Sequence, residues 1–241
     1  MEQRVDLNGI DFTEGYVAVI DKPLRWTSAD VVRKIKFTLN KKGYKKIKVG
    51  HAGTLDPLAT GVLIVCIGRA TKMVDTFQAE EKEYTASLEL GATTPSFDME
   101  HPVDRRYPSE HITREAACEA LQRLTGERLQ MPPVYSAKKI DGVRAYEMAR
   151  AGEEAPVRKA LINIYELEMT RFELPYMDIR VRCSRGTYIR SLAAEIGEEL
   201  RSGAYLTALR RTRSGGFRVE DALNLDFFLE KLSQCETKSG K

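Results

Sequence analysis

Two hydrophobic periods alternate along this chain, and each change of period marks an element. Tyr16 to Ile20 is a short apolar run closed by Asp21-Lys22-Pro23, which predicts a strand. Thr27 and Ser28 stand where a helix cap is wanted, and Val31, Val32, Ile35 and Leu39 follow at helical spacing. Val62 to Ile67 is apolar without a break and predicts a buried strand. From Tyr84 to Leu90 the period drops to two, with Tyr84, Ala86, Leu88 and Leu90 on one face and Thr85, Ser87 and Glu89 on the other. Thr113 to Leu124 returns to helical spacing, with Ala116, Ala117, Leu121 and Leu124 inward. Leu161–Phe172 and Met177–Cys183 read as paired strands around a turn at Pro175. A turn with Gly186 and a capping Thr187 then opens a helix with the stripe Ile189, Leu192, Ala193, Ile196 and Leu200. Strands and helices mix without a regular βαβ alternation, so the expected class is α+β with a largely antiparallel sheet flanked by helices.

One segment breaks this pattern. Gln130 to Pro156 is rich in Pro, Gly, aromatic and basic residues, and reads as a projecting insertion with one short helix from Val143 to Arg150. The rest of the chain, residues 1–230, is expected to be one domain, with the insertion at about 130–160 and a flexible tail at 231–241.

Composition narrows the setting. The 241 residues are 42% hydrophobic with a formal charge of only +3, so overall charge says little about partners. Clustering says more, because screening limits each charge to roughly 10 Å. Arg33, Lys34, Lys36, Lys41, Lys42, Lys45, Lys46 and Lys48 occur with no Asp or Glu between Val31 and Leu55, interleaved with Phe37 and Tyr44. That pattern suits phosphate contact better than a plain solvated face. The four cysteines are scattered and no His joins them, which predicts no metal site and a reducing, cytoplasmic setting. No apolar stretch nears the ~20 residues of a membrane span.

Just after the basic run comes Gly-His-Ala-Gly-Thr-Leu-Asp-Pro-Leu-Ala-Thr-Gly-Val-Leu, Gly50 to Leu63, in which Asp56 is the only acid. An Asp before Pro is commonly a turn former. Flanked by Gly50, Gly53 and Gly61, which let a backbone turn sharply, it can also be a carboxylate held rigid for chemistry on a polyanion. A carboxylate working in a dry pocket needs a cation to stay ionised, and Arg190 at the start of a helix is a candidate, as well as a plausible surface arginine. His51 reads as a loop histidine or a ring that stacks on bases. Tyr84, at a strand end, reads as a core aromatic or a stacking platform. A glycosidase would want two carboxylates flanking the bond, and the motif has one.

Together these segments resemble the TruB family of tRNA pseudouridine synthases. The Gly50–Leu63 motif matches that family's catalytic motif almost residue for residue. Asp21-Lys22-Pro23 with Thr27-Ser28, Lys82-Glu83-Tyr84, Gln130 to Lys139, Cys183 to Arg190 and Leu209-Arg210-Arg211 follow in the family's order. The resemblance implies the pseudouridine synthase fold and isomerisation of uridine at position 55 in the T loop of tRNA, without metal, cofactor or protein partner, by a monomer. It implies catalytic roles for Asp56, Tyr84 and Arg190, and RNA or pocket contacts for His51, Tyr188, Leu209, Lys22, Lys45 and Lys46. The insertion would clamp the T arm. Two departures stand out: Arg25 replaces a family glycine, and no C-terminal RNA-binding PUA domain is expected after Phe228. A protein that binds and folds tRNA without catalysis would use the same surface.

Overall fold

The computed structural model describes residues 4–133 and 158–236, with the backbone of Lys139–Ile140 and Val143–Arg144 between them. In chain order the main elements are β1 (Tyr16–Lys22), α1 (Ser28–Lys41), β2 (Val49–Ala52), β3 (Ala59–Ile67), α2 (Val74–Ala79), β4 (Lys82–Leu90), α3 (Arg114–Leu124), β5 (Gly126–Gln130), β6 (Ala160–Glu173), β7 (Tyr176–Cys183), α4 (Ile189–Glu199), β8 (Ala204–Ser214) and α5 (Leu225–Gln234). Within the stretch read above as one domain the chain forms two compact units, Met1–Lys82 with Arg210–Lys241, and Glu83–Leu209.

β3 organises the first unit. It pairs antiparallel with β1, from Tyr16↔Ile67 to Lys22↔Gly61, and with β2, from Val49↔Ile67 to Ala52↔Ile64. Leu223–Asn224 runs parallel to β1, so the sheet is mixed. The unbroken apolar run of β3 has a physical cause, because both its faces are covered. Leu63, Val65 and Ile67 join a core with Ile20, Val31, Ile35, Leu39, Phe228 and Leu232, which brings α1 and α5 onto one face. Val62, Ile64 and Cys66 pack on the other, against Phe77 and Phe217. Each fully buried Ile or Leu here contributes about 1.5–3 kcal/mol.

α1 starts where the pattern placed it, but Thr27 alone caps it. Its Oγ1 accepts from the Asp30 N–H at 3.0 Å, and the Asp30 carboxylate accepts from the Thr27 N–H at 2.9 Å. Such a reciprocal pair stabilises a helix start by about 1 kcal/mol. The buried stripe is Ser28, Val31, Ile35 and Leu39, whereas Val32 is only half-buried. At the C-terminus, α5 runs to Gln234 and both Leu232 and Cys235 are buried, so the tail expected from residue 231 is fixed through Cys235.

In the second unit β6 pairs antiparallel with β7, with register shifts at Ile164/Glu166 and Met169/Arg171, and with β5 on its other edge. β4 alternates as the period-two pattern requires, with Tyr84, Ala86, Leu88 and Leu90 buried. Thr113 caps α3, which packs on β6 and α4 through the side carrying Ala117, Ala120, Leu121 and Leu124. Ala116, expected inward, is half-buried. Lys139–Ile140 pairs antiparallel with Val143–Arg144, so the helix expected from Val143 begins in strand backbone; its remainder, 145–150, lies outside the described residues. Among the described residues no helix is long and apolar enough to cross a membrane.

Candidate active site

The motif loop belongs to the first unit and is shorter than its sequence suggests. Gly50 and His51 lie on β2, with His51 opposite Val65, and Ala59 to Gly61 already belong to β3. Residues 53–58 remain as the loop, and Asp56 sits half-buried within it. Gly53 takes φ +88° and Gly61 φ +102°, both left-handed, while Gly50 needs no such freedom. At Gly61 a Cβ would lie 2.2 Å from the Arg211 backbone oxygen, so only glycine permits β8 to approach this closely.

The residues flanking Asp56 are fixed from three directions. Ser28, buried at the start of α1, accepts from the Leu55 N–H at 2.9 Å and donates to the Leu55 carbonyl at 3.2 Å. The Arg25 N–H donates to the Pro57 carbonyl at 2.7 Å. Lys22 Nζ donates to the carbonyls of Trp26 (2.5 Å), Pro23 (2.9 Å) and Pro57 (3.4 Å). Lys22 is fully buried, which corrects the expectation that it touches RNA: its ammonium fastens the loop. Burial pushes its pKa down to about 8, against the attraction of the Asp56 carboxylate, while Arg211 pushes it further down.

Arg211 is the residue that sequence reasoning missed. It is 1% exposed, and its guanidinium donates to the Val62 carbonyl (Nε, 2.7 Å) and the Gly53 carbonyl (Nη2, 3.0 Å). A signal was present. A strand places adjacent residues on opposite faces, so Arg210 and Arg211 could not both point to solvent from one face. Arg210 forms a two-pronged pair with Asp21 at 3.0 and 2.7 Å and reaches the Thr60 hydroxyl at 3.2 Å, tying β8 to β1 and β3. His51 has its pKa lowered by burial first and by Arg211 second, which keeps the ring neutral near pH 7. Its Nδ1 is enclosed without a hydrogen-bond partner among the described residues. Lys45 and Lys46 are exposed on the turn between α1 and β2, and Ile47 buries beside them as an anchor. Arg33, Lys34 and Lys36 are exposed on α1.

The second unit carries the other expected residues. Arg190 is the second residue of α4 and is 4% exposed, which rules out a solvated surface arginine. A cation in the first turn of a helix opposes the helix dipole. It is held there with Nε 3.9 Å from the Asp98 carboxylate and Nη1 donating to the Ser96 carbonyl at 3.3 Å. Tyr188, not Thr187, is the cap residue, and no side chain of its own caps the helix. The buried Gln130 amide instead fixes the backbone of that cap residue, accepting from the Tyr188 N–H (2.8 Å) and donating to the Tyr188 carbonyl (3.2 Å). Ser191 Oγ donates to the Met131 carbonyl at 2.7 Å, so the stem of the insertion is docked on the helix that carries Arg190. Tyr84 is buried on β4, Glu83 beside it pairs with Arg180 at 3.1 Å, and Leu209 is half-buried on β8. In the first unit Lys82 Nζ binds the carbonyls of Phe77, Gln78 and Glu80 and so closes the C-terminal end of α2. The first unit thus groups Asp56, Lys22, Arg211 and His51; the second sets Tyr188 and Arg190 together at the start of α4.

Solved structures share this architecture. The chain superposes on that of a Cbf5–Nop10–Gar1 complex with a TM-score of 0.69 at 32% identity, covering 91% of this chain and 54% of the other. A similar match, TM-score 0.65 at 29% identity over 89% of this chain and 52% of that one, is to an H/ACA RNP bound to a substrate RNA containing 2′-deoxyuridine. The chain spans about half the length of these solved chains. The fold is that of the pseudouridine synthases. The family model described as TruB family pseudouridylate synthase (N terminal domain) matches residues 41–189. The tRNA pseudouridine synthase B of Phocaeicola vulgatus is 57% identical over 228 residues, 94% of this chain and 97% of its own. That of Chloroherpeton thalassium is 42% identical over 220 residues, 91% of each. The chain belongs to the TruB family of pseudouridylate synthases.

Proposed function

We propose that this chain converts uridine to pseudouridine at position 55 in the T loop of tRNA. The N1–C1′ bond breaks, the uracil turns, and C5 bonds to C1′; the C5 hydrogen leaves to water and N1 takes up a proton. Relatives at 57% and 51% identity carry the name tRNA pseudouridine synthase B, which supports tRNA as substrate. The observation that carries the chemistry is the motif loop. Asp56 lies between Leu55 and Pro57, both held by backbone hydrogen bonds, with the buried ammonium of Lys22 attracted to its carboxylate. Such a carboxylate suits a role as nucleophile or base.

We assign the other residues the following roles by the family resemblance and their chemistry. Tyr84 stacks on the extruded uracil, and Tyr188 and Leu209 line the pocket. Arg190 is the guanidinium assigned to keep Asp56 charged. His51, neutral and on a strand end, fills the place the base vacates in the T loop, which helps offset an extrusion cost of a few kcal/mol. Lys45 and Lys46 contact phosphates and set affinity rather than sequence choice. The protein acts as a monomer in the cytoplasm without cofactor or protein partner.

The test uses unmodified tRNA transcript with uridine tritiated at C5. The parent releases tritium to water, and Asp56→Asn releases none while still binding the transcript. Tritium release by Asp56→Asn at the parent's rate would defeat the assignment. Binding by the parent without release would instead favour the noncatalytic tRNA-folding reading.

A further inference from the structure

Arg25 is one of the few non-glycine residues in the left-handed region, at φ +67°. A side chain there costs of order 1 kcal/mol unless something compensates. Glycine would take that conformation without cost, so the guanidinium stands there against strain. Its N–H holds the Pro57 carbonyl next to Asp56, and its side chain is exposed. That side chain lines an open cleft of about 530 Å³ with Trp26, Asp30, Arg33, Lys34 and Phe37, all within the first unit.

The lining has a specific chemistry. Arg25, Arg33 and Lys34 bring three positive charges, and Lys41 adds a fourth at the rim, with Nζ 4.6 Å from the Phe37 ring centre. The one acid, Asp30, already accepts from both the hydroxyl and the N–H of Thr27 and pairs with Arg33, and these bonds pull its pKa down to about 2. Asp30 therefore stays ionised and offsets one cation, and the cleft is net positive because the three basic side chains outnumber it. Phe37 is 54% exposed on a charged helix face, where burial gives it no reason to be aromatic. Flat rings beside guanidinium groups are what single-stranded bases stack on, and the cations suit the phosphates that flank such a base. A double-helical stem, whose bases are already stacked, would use the cations and leave the rings idle.

We infer that Arg25, Trp26, Arg33, Lys34 and Phe37 form an accessory subsite for an unpaired nucleotide of the RNA, separate from the one that reacts. This rests on the reading of the chain as an RNA-modifying enzyme. The subsite places a base against Phe37 and Trp26, with its phosphate between Arg25 and Lys34. Because Arg25 also touches the motif loop through its backbone, RNA seated there is registered directly against Asp56.

The experiment measures binding and turnover separately, on Arg25→Gly, Phe37→Ala and Arg33→Gln/Lys34→Gln. All alter exposed side chains, and Arg25→Gly keeps the backbone hydrogen bond while removing the left-handed strain, so lost binding would not reflect unfolding; thermal melts confirm it. Binding probes are a nine-residue oligouridylate and a duplex RNA of equal length. Each variant is expected to weaken oligouridylate binding five- to twentyfold and duplex binding less than threefold for Phe37→Ala. With tRNA transcript, KM rises by a similar factor and kcat stays within twofold. Unchanged oligouridylate affinity in Phe37→Ala and Arg25→Gly would overturn the inference, as would equal losses on both probes for Phe37→Ala. Binding that depends on these residues in a parent without turnover would leave the subsite standing and remove the proposed reaction.

Discussion

Replacing Lys22 by Met tests the electrostatics of the motif loop, because Met keeps the shape of the buried stem and removes the charge. At pH 7 the ammonium makes two good hydrogen bonds, to Trp26 and Pro23, and a longer one to Pro57. Hydrogen bonds from a charged group contribute about 1.5–3 kcal/mol each. Against them stands the cost of burying the charge. A pKa lowered from 10.5 to about 8 corresponds to about 3 kcal/mol. The net loss in Lys22→Met at pH 7 is then about 1–2 kcal/mol, or roughly 2–8 °C in Tm for a chain of this size. The pH dependence is the sharper test. Between about pH 8 and 10.5 the unfolded lysine still holds its proton while the folded one has lost it, so the unfolded state binds more protons and the lysine's contribution to stability rises with pH. The Met variant lacks this slope, and other titrating groups cancel in the comparison. Urea unfolding at pH 7 and 9.5 should show the parent's advantage growing by about 2 kcal/mol. A constant or shrinking gap would refute the account of Lys22 as a buried, depressed lysine.

Two further outcomes follow from the same geometry. Gly61→Ala places a Cβ 2.2 Å from the Arg211 carbonyl at φ +102°, so β3 and β8 must part and the backbone must strain; a loss of at least about 3 kcal/mol by urea unfolding is expected, and a loss under about 1 kcal/mol would show that the strands separate freely. Lys45→Gln/Lys46→Gln removes two exposed cations, and the plot of log affinity for tRNA against log salt should become shallower by about 1.5–2; an unchanged slope would place these lysines outside the RNA footprint.

The elements were legible where their cause is local. The stripe of α1, the alternation of β4 and the turn at Pro175 depend on residues a few positions apart, and the structure places them within one or two residues of the pattern. Long-range pairing was not legible in this way. Gly50 and His51 look like loop residues beside other glycines, yet β3 supplies a partner edge that makes them a strand. Lys22 looks like one more base ahead of a basic run, but its ammonium is buried among the carbonyls of Pro23, Trp26 and Pro57. Thr187 has a good capping side chain, but the cap position falls on Tyr188, whose backbone is held by Gln130, nearly sixty residues earlier. For the strand and the cap the deciding partner comes from a distant segment, and local propensity carries no information about it; for Lys22 it is the turn of the chain at 23–26 that decides.

The two buried cations of the first unit show why the motif needs glycine as much as charge. Lys22 and Arg211 give hydrogens to backbone carbonyls, those of Pro23, Trp26 and Pro57 for one and of Gly53 and Val62 for the other. Both ends of the loop that carries Asp56 are thus fixed by buried cations, one of which, Lys22, is attracted to its carboxylate. In the proposed reaction, a field and a fixed backbone from one set of atoms lower the reorganisation needed when charge moves at Asp56. Arg211 can take this place only because β8 lies close to β3, and β8 can lie that close only because Gly61 has no Cβ. Strengthening the cation cannot compensate for a side chain at position 61, since the obstruction lies between backbones. Loss of the glycine should therefore weaken folding and the loop's electrostatics together, whereas Lys22→Met removes a charge and leaves the strand spacing intact.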